Sequence, residues 1–149
     1  MKYVTLMLTL ILWVSAPLVG VIVQQKPAPT ITEDMATLEG RWRTPKEEPA
    51  KLELTFKKTE NPTLKYSSFK FLEVKITYEG SLGKASCSGG CTCRLMEDGK
   101  RRSLVFGSEI LIVSNLPQTW YYRFEGKQLV LNVEQGKYKG EYKLERISD

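Results

Sequence analysis

A chain of 149 residues, 42% apolar and 26% charged, has the balance of one folded domain and excludes disordered and fibrous classes. It holds no histidine, which removes the commonest general base and with it any Ser-His-Asp or Cys-His arrangement. The formal charge of +5, one less if Lys2 is removed, is interleaved with acids and forms no basic stripe, so nucleic acid is not an expected partner.

From Tyr3 to Val23 no residue is charged, and the run Val4 to Val14 behind Met1-Lys2 reads as the n-region and h-region of an export signal. The cleavage positions are imperfect, since Val14 and Ala16 would precede a cut at Pro17, and the other candidate, Leu18 with Gly20, carries a bulky residue. The stretch also reaches the roughly 18 to 20 residues that span a bilayer as a helix. Residues 1–23 are thus a signal peptide or an N-terminal membrane anchor, and either places the domain outside the cytoplasm. Lys2 and Lys26 stand at opposite ends, so charge bias does not orient the segment. Residues 24–30, with Pro27 and Pro29, read as an extended linker, and 31–149 as the domain.

Within the domain, Thr32 to Leu38 is the one piece expected to form a helical turn, with Thr32 as N-cap. A short strand follows at Trp42. Leu52, Leu54 and Phe56 then alternate with charged neighbours, as do Leu72, Val74, Ile76 and Tyr78, which is the period of half-buried strands. Phe69 and Phe71 have the opposite parity to Leu72 and Val74, which predicts a bulge or bend near Phe71. Asp98-Gly99 marks a hairpin, Glu109 to Val113 is a fuller apolar run, and turns at Gly126-Lys127 and Gln135-Gly136 separate Trp120 to Phe124, Leu129 to Val133 and a last strand from Tyr138 to Ile147. About eight strands with such turns predict an all-β, antiparallel up-and-down barrel.

Leu38-Glu39-Gly40-Arg41-Trp42 resembles the Gly-x-Trp entry motif of lipocalin-like domains, and Tyr122 to Leu131 followed by Gly140 to Arg146 is similar to the last hairpin and strand of small bacterial exported lipocalin-like, calycin-type proteins. The resemblance covers Leu38 to Ile147. It implies that Arg146 packs across Trp42 beside Gly40 and closes one barrel end, a role in folding. Stacking a guanidinium on an indole is worth roughly 0.5 to 2 kcal/mol.

Cys87, Cys91 and Cys93 put all three thiols of the chain within seven residues. In an exported protein this predicts one disulfide, Cys87 to Cys91 or Cys87 to Cys93, and one free thiol. Three thiolates can also hold zinc or copper(I), but the spacing fits no usual zinc pattern and no histidine completes a site, so no metal is assigned.

Glu53, Glu73 and Glu79 alternate with lysines at outward positions and read as a solvated face. There is no phosphate-cradling loop and no dinucleotide fingerprint, so neither an enzyme nor a cofactor is expected. Lys100-Arg101-Arg102 is the only dense cationic cluster, a solubilising hairpin tip or a contact for anionic lipid or polysaccharide. The inward set Leu54, Phe56, Leu72, Val74, Ile76, Trp120, Tyr122, Phe124, Leu129 and Leu131 either lines a cavity for a small apolar or amphipathic ligand or fills a narrow barrel. The alternative function is a cell-envelope structural or interaction module, with a protein partner on the outer loops and the Cys-rich turn. Membrane contact is expected only through an uncleaved N-terminal segment.

Overall fold

The computed structural model describes residues 30–89, 91–107 and 116–148. The export or anchor segment, all of the linker but Thr30, and the apolar run Glu109 to Val113 lie outside the described residues. Two short helices and nine strands follow in order: α1 (Ile31–Leu38), β1 (Gly40–Arg43), β2 (Lys51–Lys58), α2 (Pro62–Lys65), β3 (Lys70–Gly80), β4 (Gly83–Cys87), β5 (Thr92–Asp98), β6 (Arg101–Phe106), β7 (Thr119–Glu125), β8 (Gln128–Val133) and β9 (Gly140–Ile147).

The strands form one antiparallel sheet that closes on itself. Going round the barrel the order is β1, β2, β3, β5, β6, β7, β8, β9 and back to β1, with β4 attached to the far half of β3. Alternation sets the faces: Leu52, Leu54 and Phe56 on β2 stand across from Tyr78, Ile76 and Val74 on β3, and all six are buried. Closure removes the long exposed edge that an open sheet of these strands would carry.

Ile76 faces Cys87, yet Glu73 faces Thr92, so the chain has four residues between these pairings where β3 has two, Val74 and Lys75. β4 and β5 are therefore two halves of one barrel wall, interrupted by a bulge of two extra residues. An even insertion preserves parity, which is why Cys87, Cys91 and Cys93 are all buried. This corrects the expected position of the bulge. Pairing runs without interruption through Phe71, which faces Arg94 on the outer side, and Phe69 precedes the strand. The opposite parity of the two phenylalanines reflects outward placement. The sequence also gave no sign of β4, whose Gly-Lys-Ala-Ser-Cys stretch is too polar to read as a strand.

The N-cap of α1 is Thr30, two residues before the expected Thr32. The Thr30 hydroxyl accepts from the Glu33 amide at 3.3 Å, and the Glu33 carboxylate accepts from the Thr30 amide at 2.6 Å. Thr30 wins because the residue three positions on is a glutamate that can reciprocate; from Thr32 it would be Met35. A second helical turn, α2, was not expected; Asn61 caps it by accepting from the Thr63 amide at 3.0 Å, and Pro62 opens it. The last strand begins at Gly140, and Tyr138 sits in the connection before it, buried.

Candidate functional site

Nine of the ten predicted interior residues, Leu54, Phe56, Leu72, Val74, Ile76, Trp120, Tyr122, Leu129 and Leu131, are 5% exposed or less, and Phe124 is half-buried. They share one cluster in which aromatic edges meet faces: Phe106 and Trp120 have centroids 5.0 Å apart, and Tyr122 and Phe124 are 5.9 Å apart. The Trp120 indole N–H donates to the Pro117 carbonyl at 2.8 Å. The side chains occupy the interior of the barrel.

Each end of the barrel is stoppered differently. At one end α1 lies across the opening with Leu38 buried and the Trp42 indole donating to the Leu38 carbonyl at 2.8 Å. The Arg146 guanidinium carbon lies 5.4 Å from the centre of the Trp42 ring, and its Nη2 donates to the Glu39 carbonyl. Gly40 makes room for this clasp: a Cβ there would stand 3.0 Å from Arg146 Nη2, on a backbone with φ of +122°. At the other end three tyrosines converge, with Tyr78 4.7 Å from Tyr138 and 6.3 Å from Tyr142. Burial, with Tyr78 and Tyr138 close by, pushes the Tyr142 hydroxyl up to about 12.

Beneath α1 is a polar group that no local pattern in the sequence marks. Asp34 is 1% exposed; its Oδ2 accepts from Arg102 Nη1 at 2.5 Å and from the Tyr122 hydroxyl at 2.7 Å. Burial first, and then the Asp34 carboxylate, push the Tyr122 hydroxyl well above the usual phenol range. The cationic cluster Lys100-Arg101-Arg102 is accordingly split by strand alternation. Arg102 has the parity of Leu104 and Phe106 and turns inward, while Arg101 stays outside, paired with Glu134 and lying 3.5 Å over the Tyr121 ring. That shared parity was the available signal.

The disulfide joins Cys87 to Cys91, with Cα atoms 6.4 Å apart, and pinches the base of the bulge. Cys93 is the free thiol, fully buried, and burial pushes it up to about 12. A thiol so held is neither a ready nucleophile nor a ready ligand. Among the described residues no group of His, Cys, Asp or Glu is placed to hold a metal ion. Glu53 and Glu79 pair outside with Arg41 at 3.0 Å and Lys84 at 2.8 Å, and Glu73 accepts from Thr59 and from the Glu60 amide at 3.3 Å.

Outside the barrel, two concave surfaces stand out. One, of about 480 Å³, lies between the bulge and the start of α2 and is lined by Lys57, Glu73, Lys75 and several hydroxyls. The other, of about 380 Å³, lies between α1 and α2. Met35 and Ala36 of α1, Leu64 of α2, and Phe69 and Phe71 supply its apolar surface, and Lys58, Lys65 and Lys70 stand around it. Neither was legible in the sequence, because each joins segments that only the barrel brings together.

No protein-family model, curated protein or solved structure matches the chain. The closed eight-strand antiparallel barrel is consistent with a lipocalin-like fold. The disulfide is the kind of bond that persists in an oxidising, extracytoplasmic compartment. Among the described residues no helix is long and apolar enough to cross a membrane.

Proposed function

We propose that this is an exported, non-enzymatic lipocalin-like binding domain whose ligand is a small amphipathic anion held in the outer cleft between α1 and α2. The observation that carries the reading is the lining of that cleft: apolar side chains at its base and three lysines around it, in a volume of about 380 Å³, within the usual range of ligand sites. An acyl chain would cover Met35, Leu64 and Phe71, and an anionic head group would meet Lys65 or Lys70, neither of which has a carboxylate partner among the described residues. With side chains occupying the interior, the barrel serves as a rigid support for an external site.

Calorimetric titration with dodecanoate tests the proposal. Saturable binding at one site, lost in Leu64→Ser and weakened in Lys65→Glu with Lys70→Glu, is the expected result. Binding untouched by these changes but lost on altering Leu54 or Leu131 would return the ligand to the interior. The bulge, held by its disulfide beside the polar groove, favours a second reading as a protein-contact surface; it predicts that Lys75→Glu with Ser88→Arg, which leaves the cleft intact, abolishes capture of an envelope protein in cross-linking of the native membrane.

A further inference from the structure

We infer that the end of the barrel bearing α1 and α2 docks on the surface of an anionic lipid bilayer; this rests on the reading of the cleft as an amphiphile site and names the source of the amphiphile, a lipid still in its membrane. The topology assembles the surface. β1 runs away from α1, so in an up-and-down barrel the connections β2 to β3, β5 to β6 and β7 to β8 all return to the end where the chain enters. Residues 59–69, the tip Gly99-Lys100 and the tip Gly126-Lys127 therefore share one end with α1.

The connection from β2 to β3 has the character of an interfacial anchor. Tyr66 is 82% exposed, and Phe69, with the Arg94 guanidinium 4.7 Å over its ring, is 51% exposed, two large aromatic side chains that folding of the chain leaves partly in water. Each is flanked by a lysine, Lys65 and Lys70, and between Glu60 and Glu73 the chain carries no carboxylate. Aromatic rings with adjacent cations suit the boundary between acyl chains and anionic head groups. Lys58, which pairs with Glu39 at 3.3 Å, and Lys100 and Lys127, which have no carboxylate partner among the described residues, stand at the same end. Acids there are partly neutralised: Asp34 by Arg102, and Glu125 by Arg123 and Lys143. Glu33 of α1, Glu60, Glu97 and Asp98 also stand at this end, so the attraction is centred on residues 62–70 and is not a property of the whole end.

The length of chain before α1 points the same way. The apolar run ends at Val23, and residues 24–29 can bridge at most about 20 Å even when extended. Where the run is retained in a membrane, this end of the barrel, and not the tyrosine end, is held against the lipid surface.

Hydrogen exchange of the full chain reconstituted on vesicles tests the inference. On phosphatidylcholine containing phosphatidylglycerol, amides of residues 62–71 should exchange several-fold more slowly than on phosphatidylcholine alone. High salt, Lys65→Glu with Lys70→Glu, and Tyr66→Ser with Phe69→Ser should each reverse the slowing, and the loop 45–50 at the opposite end should not respond. Equal exchange of 62–71 on both vesicles, or equal slowing of 45–50, would overturn docking by this face. Dodecanoate titration separates the two readings: dodecanoate binding without vesicle protection removes the docking alone, whereas protection without dodecanoate binding supports docking and removes the amphiphile site. Loss of both removes both.

Discussion

Asp34 on α1 and Arg102 on β6 meet at 2.5 Å although 68 residues separate them, and Tyr122 donates to the same carboxylate oxygen at 2.7 Å. The pair pins the helix across the barrel end. Removing Asp34 leaves the mostly buried Arg102 guanidinium to the more distant Glu97 at 3.6 Å, and breaking a buried pair typically costs about 3 to 5 kcal/mol. Asp34→Ala should therefore lower stability by about 3 kcal/mol in urea unfolding, whereas Asp34→Leu with Arg102→Met should lie close to the parent. Equal loss in the single and double variants would show that the ion pair is not what holds α1.

The Trp42 and Arg146 clasp differs in being partly open to water. Trp42→Ala should cost about 3 to 5 kcal/mol through the cavity it leaves, and Arg146→Ala only about 0.5 to 1 kcal/mol, the exposed end of the cation–π range. A double-mutant cycle should find coupling between them. An unchanged melting temperature in Trp42→Ala would remove the residue from the set that closes the barrel.

The disulfide encloses very few residues, so it restrains the unfolded chain only modestly. Cys87→Ser with Cys91→Ser should cost about 2 kcal/mol and leave the eight barrel strands in place by circular dichroism. Mass spectrometry of the native protein after alkylation under denaturing conditions should find a single reactive thiol, on Cys93. Labelling of Cys87 or Cys91 in the native protein would contradict the pairing.

Interior and cleft should separate stability from binding. Leu54→Ala, in the packed interior, should destabilise by about 3 kcal/mol and retain dodecanoate affinity. Leu64→Ser, half-exposed in the cleft, should change the melting temperature little and abolish binding. The reverse pattern would argue against the outer site.

Alkaline stability follows from three groups held neutral by burial, Cys93, Tyr122 and Tyr142. The Cys93 thiol rises from 9.0 to about 12 and the Tyr142 hydroxyl from 10.0 to about 12. A folded value above the unfolded one means the fold binds the proton more tightly. The contribution is therefore full below about pH 9 and is lost as the pH climbs toward 12. For Cys93 the full loss is about 4 kcal/mol, at about 1.4 kcal/mol per pH unit. Urea midpoints should be flat from pH 7 to 9 and fall above it, and Cys93→Ala should flatten the first part of that fall. A decline beginning below pH 8 would have to come from another group.

Strand content, the inward face of each long strand and the presence of one disulfide among three close cysteines were all legible in the chain, because alternation and short-range spacing are local properties. The alternation of Leu52, Leu54 and Phe56 with charged neighbours has one physical solution, a strand with one face buried. What escaped was whatever depends on residues far apart in sequence. The bulge falls between Cys87 and Thr92 because two strands differ in length between fixed pairings, which no single segment records. Arg102 belongs to a buried pair, and not to a hairpin tip, because Asp34 arrives over it from the other end of the domain. The inward residues of distant strands form one buried cluster only once the sheet has closed, and the cleft exists because that closure brings α1 and α2 to the same end. The sequence by itself determined a closed β-barrel with its buried face; only the tertiary structure decided that a concave, partly apolar surface forms outside it between α1 and α2.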